Sequence, residues 1–193
     1  MARSEELDVT LRVAAIFDAL GVPYLVGGSV ASSLLGIPRA TLDVDLVADL
    51  RDAQVQALVD ALGDDFYADV DAIRDATRRR ASFNVVFLPY MLKVDVFVLK
   101  SDPLSQCEMA RRFALALPGD PPASLQVGSA EDIVLQKLHW YRLGSGISER
   151  QWRDVLGVIK VQAGRLDDHY LDLWAPSLGV TDLLHKARAE AKV

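Results

Sequence analysis

Two aspartates one residue apart, in an otherwise apolar segment, restrict the fold of this chain more than any other feature. The segment reads PYLVGGSVASSLLGIPRATLDVDLVADL from residue 23 to residue 50. Its pattern predicts a strand, a glycine turn, a short helix and a second strand, at 24–27, 27–28, 29–35 and 43–48. Side chains alternate along a strand, so Asp43 and Asp45 share one face and Val44 and Leu46 point to the other.

A later apolar segment also contains an acidic residue. Residues 82–99, SFNVVFLPYMLKVDVFVL, predict two strands around a turn near Pro89 and Tyr90. In the second of these strands, Asp95 lies on the face opposite the valines of VDVFV. Three carboxylates in two apolar strands are costly unless they face water, are paired, or bind a cation.

The aspartates have two interpretations from sequence alone. They could face solvent or pair with Arg39 or Lys93. Alternatively, they form a Mg²⁺ site (Mn²⁺ being the substitute ion), since hard cations prefer oxygen ligands and magnesium is usually held by a few carboxylates plus substrate phosphates. Two such ions can clamp the attacking and leaving oxygens of a phosphoryl or nucleotidyl transfer.

The glycine turn before the aspartates favours the second interpretation. Gly27 and Gly28 end a strand, and Ser29 begins a helix. Glycines allow a phosphate to approach the backbone closely, and a helix N-terminus offers N–H groups and the positive end of a dipole. A Gly-Gly-Ser turn is weak evidence alone, and its value comes from the Asp-x-Asp that follows.

Composition narrows the class of protein. The net charge is −6, which disfavours a protein that grips nucleic acid through charge alone. Cys107 is the single cysteine, so neither an internal disulfide nor a cysteine-based zinc cluster is expected. The chain start has no apolar signal core, and charged residues interrupt the most apolar stretch. We therefore expect a soluble cytoplasmic protein that does not contact a membrane.

The remaining pattern divides the chain into two parts. Helices are predicted at 5–20 and 51–62 and short strands at 112–117 and 123–127, whereas three or four helices are predicted within 130–192. Ser129 and Ser148 are predicted to cap two of these helices. We expect an α+β fold, with a mixed-sheet core domain at 1–128 flanked by helices and a C-terminal helical bundle at 129–193 packed on it.

Together these motifs resemble the nucleotidyltransferase superfamily, which has the DNA polymerase β-like fold. The resemblance rests on GGS, a short helix, G-x-x-R-x-T-x-D-x-D-L and a later strand with a single Asp, and it covers residues 24–99 well. The group around the AbiEii-type toxins of bacterial toxin–antitoxin systems is the most similar. Its later motifs resemble 129–142 and 150–155 more loosely.

This resemblance implies roles for individual residues. Asp43 and Asp45 match the paired metal ligands, and Asp95 matches the third carboxylate, which completes the metal site and serves as general base. Gly28 and Ser29, with Gly27 beside them, match the motif that holds the nucleotide phosphates.

Further residues are implied as nucleotide contacts. Lys137 matches a helical lysine that reaches the triphosphate, although a lysine beside apolar side chains can also extend its charge to water. Arg39 and Thr41 precede the aspartates and are predicted to contact the nucleotide, although Arg39 could instead neutralise Asp43. Asp154 matches a late polar motif of unassigned role, and Gly157 stands where AbiEii-type proteins have a further aspartate.

The sequence thus predicts an Mg²⁺-dependent enzyme that moves a nucleoside monophosphate from an NTP to an acceptor hydroxyl and releases pyrophosphate. The acceptor could be tRNA, protein or a small molecule, since CCA-adding enzymes and aminoglycoside nucleotidyltransferases share the opening motifs. A non-catalytic relative that binds nucleotide, or a cognate toxin or antitoxin protein, is the alternative.

Overall fold

The computed structural model describes residues 4–41, 43–119 and 122–191. Their contacts define two compact units. The first comprises the chain up to Val30 together with Thr41–Gly128, and the second comprises Ala31–Ala40 and the chain from Ser129 onward. The division at residue 128 stays a prediction, because the structure groups residues 31–40 with the C-terminal helices.

The first unit is built on a mixed sheet of seven strands within the described residues. The strands are β1 (Tyr24–Val26), β2 (Val44–Ala48), β3 (Phe66–Tyr67), β4 (Ser82–Phe87), β5 (Leu92–Val98), β6 (Phe113–Leu117) and β7 (Ala123–Val127). Their order is β3-β4-β5-β2-β1-β7-β6. The pairs β2–β5 and β1–β7 are parallel and the others antiparallel, so the predicted α+β fold with a mixed sheet is confirmed.

Alternation along the central strands produces the core. In β2, Val44, Leu46 and Ala48 are fully buried, whereas the residues between them are half-buried. The valines of β5 are buried in the same way. One sheet face therefore packs into the interior and the other carries the polar side chains, as the sequence pattern predicts.

Nine helices occur in the part of the chain that the structure describes. They are α1 (Glu5–Ala19), α2 (Gly28–Leu35), α3 (Val55–Leu62), α4 (Val70–Arg79), α5 (Pro103–Arg111), α6 (Ala130–Leu143), α7 (Glu149–Val161), α8 (Asp168–Trp174) and α9 (Thr181–Ala191). In the first unit, α1 contacts β1, β5 and β7, and α4 contacts β4. Lys192, in the predicted helical range, and Asp120 and Pro121 lie outside the described residues.

The second unit consists of α6–α9 and residues 31–40. Ser129 caps α6 by accepting a hydrogen bond from Asp132 N at 3.2 Å, and Ser148 caps α7 by accepting one from Gln151 N at 3.4 Å, so both predicted caps are confirmed. The Gln162 side chain donates to Leu35 O at 2.6 Å, which ties the end of α2 to the end of α7. Over 4–41, 43–119 and 122–191, no helix is both long and apolar enough for a bilayer span.

Candidate functional site

The carboxylates of two neighbouring parallel strands come together on the polar face of the sheet. Asp45 of β2 and Asp95 of β5 are register partners, and both side chains are half-buried. Asn84 of β4 is the register partner of Asp95 on its other side. The parallel pairing explains the juxtaposition, because its register places the acidic residue of β2 directly beside the acidic residue of β5.

Asp43 differs from the prediction in one respect. The strand begins at Val44, so Asp43 precedes it and is exposed, and Thr41 Oγ1 accepts a hydrogen bond from Asp43 N at 3.3 Å. The hydroxyl of Thr41 thus shapes the turn into the strand. Asp43 lies outside the strand because the pairing of β2 with β5 begins at Val44, opposite Val94.

The glycine turn contacts Asp45 directly. Gly27 N donates to Asp45 O at 2.9 Å, and Gly28 begins α2 with φ +53°. A Cβ added to Gly28 would lie 1.8 Å from Asp45 Oδ2, so only glycine leaves room for this carboxylate. The close approach also puts the carboxylate beside the start of α2. Ser29, the next residue, is buried.

Gly28→Ala is expected to lower the free energy of unfolding by about 1–3 kcal/mol, since the added methyl both strains a positive-φ residue and collides with Asp45. Gly21→Ala is the matched control, because Gly21 has φ +61° and an added Cβ there meets no atom within 4 Å. Urea denaturation of both variants measures the difference. Equal losses would show that the carboxylate moves aside at no cost.

Lys93 is the residue at this site whose role the sequence left open. Its Nζ lies 2.7 Å from Asp95 Oδ2. Asp95 therefore forms the ion pair with Lys93 that the first interpretation of the aspartates allows. The hydrogen bond to Asp95 raises the pKa of Lys93 above its ordinary value, slight burial opposes this, and the charges of Asp95, Asp43 and Asp45 add to the increase. The spacing Lys-x-Asp in a strand was the available signal, since residues i and i+2 share a face.

The donor chemistry of this cluster fits a hard divalent ion, because its acidic side chains offer carboxylate oxygens. Among the described residues, however, no group of three or more His, Cys, Asp or Glu side chains is arranged to hold a metal ion. Asp45 and Asp95 supply two adjacent carboxylates. Two carboxylates completed by substrate phosphates are a common arrangement for magnesium.

The second unit holds a separate buried cluster around Asp154 of α7. Arg39 binds it through two hydrogen bonds, Nε to Oδ1 at 2.7 Å and an Nη to Oδ2 at 2.8 Å, and Lys137 Nζ lies 2.7 Å from Oδ2. The side chains of Lys137 and Asp154 are each only 4% exposed. The alternative in which Lys137 extends its charge to water is therefore wrong.

Two cations determine the ionisation of this aspartate. Burial by itself would raise the pKa of Asp154, but the hydrogen bonds from Arg39 and Lys137 outweigh it and hold the pKa below the ordinary value. Arg39 pairs with Asp154 and thereby neutralises a different carboxylate from the predicted Asp43. The predicted nucleotide contacts of Arg39, Thr41 and Lys137 stay predictions.

Gly157 has a packing role in the same unit. A Cβ added there would lie 3.2 Å from Ile37 N, and one added to Gly36 would lie 2.8 Å from Val158 N. The backbone of α7 and the segment that carries Arg39 thus approach closely. Glycine at position 157 suits this close packing, since a larger residue would push the segment away from Asp154.

No family model matches the chain, and the comparison with curated proteins found no match. Comparison of this structure with solved structures finds proteins of similar fold. The antibiotic-resistance factor ANT(2'')-Ia is similar in its solution structure, with a TM-score of 0.58, 13% identity, and coverage of 95% of this chain and 99% of that one. A nucleotidyltransferase-like antigenic protein from Paracoccidioides brasiliensis is similar with a TM-score of 0.58, 20% identity, and coverage of 96% and 93%.

A crystal structure of ANT(2'')-Ia in complex with adenylyl-2''-tobramycin is also similar, with a TM-score of 0.50, 15% identity and coverage of 98% of both chains. These similarities show that the chain has a nucleotidyltransferase-like fold. The closer resemblance to AbiEii-type proteins is not tested by these structures and stays a prediction.

Proposed function

We propose that this protein is a metal-dependent nucleotidyltransferase, which transfers a nucleoside monophosphate from an NTP to an acceptor hydroxyl and releases pyrophosphate. The observation that carries the proposal is the in-register pair Asp45 and Asp95 beside the Gly28 turn at the start of α2. A cluster of negative charge next to a helix N-terminus suits a substrate that brings both phosphates and a divalent ion.

In this proposal Asp45 and Asp95, together with Asp43 just before β2 and the substrate phosphates, hold Mg²⁺ or Mn²⁺. The ion, when bound, supplies neutralisation of the phosphate charge and activation of the acceptor oxygen. Gly27, Gly28 and Ser29 position the phosphates through backbone N–H groups and a hydroxyl at the start of α2. The acceptor oxygen forms a bond to the α-phosphorus, the bond from that phosphorus to pyrophosphate breaks, and Asp95 takes the hydroxyl proton.

The experiment is a transfer assay with α-labelled NTPs. Purified protein is incubated with Mg²⁺ or Mn²⁺, each labelled NTP, and lysate separated into RNA, protein and small-molecule fractions. We expect label in one fraction, which names the acceptor class. Tobramycin is the first single small molecule to test, because ANT(2'')-Ia of similar fold has been captured with its adenylylated form. No label in any fraction, together with no nucleotide binding, would overturn the proposal.

A second candidate function is supported by the Lys93–Asp95 ion pair. A carboxylate that a protein cation already neutralises has no need of a metal, and this is what a non-catalytic relative would show. Such a protein would bind nucleotide or a cognate toxin or antitoxin partner. Partner binding that persists in the Asp45→Asn protein and without Mg²⁺, with no transfer by the wild type, would favour this candidate.

A further inference from the structure

Lys93 extends over the carboxylate face of the sheet. It lies on β5 two residues before Asp95, so both side chains emerge on one face, and Asp45 is the register partner of Asp95 on the neighbouring strand. The Lys93 ammonium is 2.7 Å from Asp95 Oδ2. A side chain of the protein itself thus places a positive charge on one of the proposed metal ligands.

The ion pair of Lys93 with Asp95 is partly exposed, so it is neither fully solvated nor fully buried. The side chain of Lys93 is 49% exposed, whereas that of Asp95 is 23% exposed. Its charge thus offsets repulsion among the carboxylates, and because the pair is partly exposed its flexible stem can swing into water when another cation takes its place. A fully buried pair, such as Lys137 with Asp154 in the second unit, would be much more costly to separate.

We infer that Lys93 is an internal counter-ion, which occupies the carboxylates of the nucleotide-free protein and restricts them to the divalent ion that arrives with an NTP. This inference rests on the proposed function. A free divalent ion must displace the ammonium and leave it without a counter-charge at the site. An ion that arrives with a triphosphate brings phosphate oxygens, which complete its coordination and provide the ammonium with a new partner.

Lys93 is accordingly a positioning residue that acts through Asp95. It selects the metal–nucleotide complex over the bare metal and prevents unproductive occupation by free cations. Lys93 also holds the Asp95 carboxylate in one orientation before the substrate arrives.

The test measures binding of Mn²⁺ alone to the nucleotide-free protein, by electron paramagnetic resonance of the unbound ion. Lys93→Met should bind Mn²⁺ roughly tenfold more tightly than the wild type, since removing a unit charge near a divalent ion has about this effect even at the dielectric constant of water. Lys93→Arg keeps the charge and should match the wild type. Lys100→Met is the matched control, because it removes the same charge from the exposed residue that follows β5 by two positions.

The second readout is coupling between metal and nucleotide. A non-hydrolysable ATP analogue should tighten Mn²⁺ binding strongly in the wild type and much less in Lys93→Met, because the variant has no ammonium to displace. Mn²⁺ affinities of wild type and Lys93→Met within a factor of two, with label transfer intact, would overturn this inference and leave the proposed function standing. No Mn²⁺ binding by either protein, with no transfer, would overturn both.

Discussion

The Asp45→Asn protein should remain folded and lose nucleotidyl transfer by about a thousandfold or more. The carboxylate is central to the proposed site, with Asp95 beside it in register and Gly28 against it. A metal ion contributes several kcal/mol to stabilising the transition state, and each 1.36 kcal/mol is a factor of ten in rate. Asparagine keeps the size of the side chain and removes the charge that holds the ion in the proposed function.

The fold should tolerate this change, which separates a catalytic role from a structural one. Removing one of two adjacent carboxylates relieves repulsion, so the midpoint of thermal unfolding should be unchanged or higher. Asp64→Asn, at an exposed position of the same unit, is the control and should keep full activity. An Asp45→Asn protein that is inactive only because it is unfolded would refute the catalytic assignment, as would one that retains wild-type transfer.

Asp154→Leu is expected to have the largest effect on stability, a loss of about 3–5 kcal/mol in the free energy of unfolding. The substitution leaves the Lys137 ammonium buried without the Asp154 carboxylate and removes the ion pair of Arg39 with it, and breaking a buried ion pair by removing one partner typically costs this much. Glu149→Gln on the same helix is the control. Its ion pair with Arg153 is exposed, so it should lose less than about 0.5 kcal/mol.

A double variant distinguishes loss of a contact from burial of an unpaired charge. Lys137→Met combined with Asp154→Leu removes both buried charges, and it should recover much of the stability that Asp154→Leu loses. Chemical denaturation of the wild type, the single variant and the double variant gives the three values. A double variant that is less stable than Asp154→Leu would show that the ion pair itself, and not the unpaired lysine, dominates.

The same cluster predicts a pH dependence with a defined sign. The folded-state pKa of Asp154 is lowered, so its contribution to stability is present above the ordinary aspartate pKa of about 3.9 and is lost as the pH falls through the folded value. The stability difference between wild type and Asp154→Leu should therefore be constant near neutral pH and shrink in acid below about pH 4. A difference that grows in acid would contradict the assignment.

The alternation of residues along the chain was sufficient to predict the central strands, because successive side chains of a strand point to opposite faces and only one face is fully buried. Helices α4 and α5 were missed for a different reason. In α4 only Ile73, Ala76 and Thr77 are buried, so its charged residues masked the apolar spacing. The Asp69 cap of α4 and the Asp-Pro start of α5 at residues 102 and 103 were the available signals. Strand β3 has two residues, which is too short for any pattern to identify.

The sequence by itself determined the mixed-sheet α+β fold, the faces of its strands and the positions of Asp45 and Asp95 on them, because alternation and glycine turns are local properties. Only the tertiary structure decided which charges meet. Lys93 pairs with Asp95 two residues away, whereas Asp154 forms ion pairs with Arg39 and Lys137, which are distant from it in sequence. Ion pairing depends on distances of a few ångström between side chains, and such distances are set by strand register and helix packing, which a one-dimensional pattern does not contain.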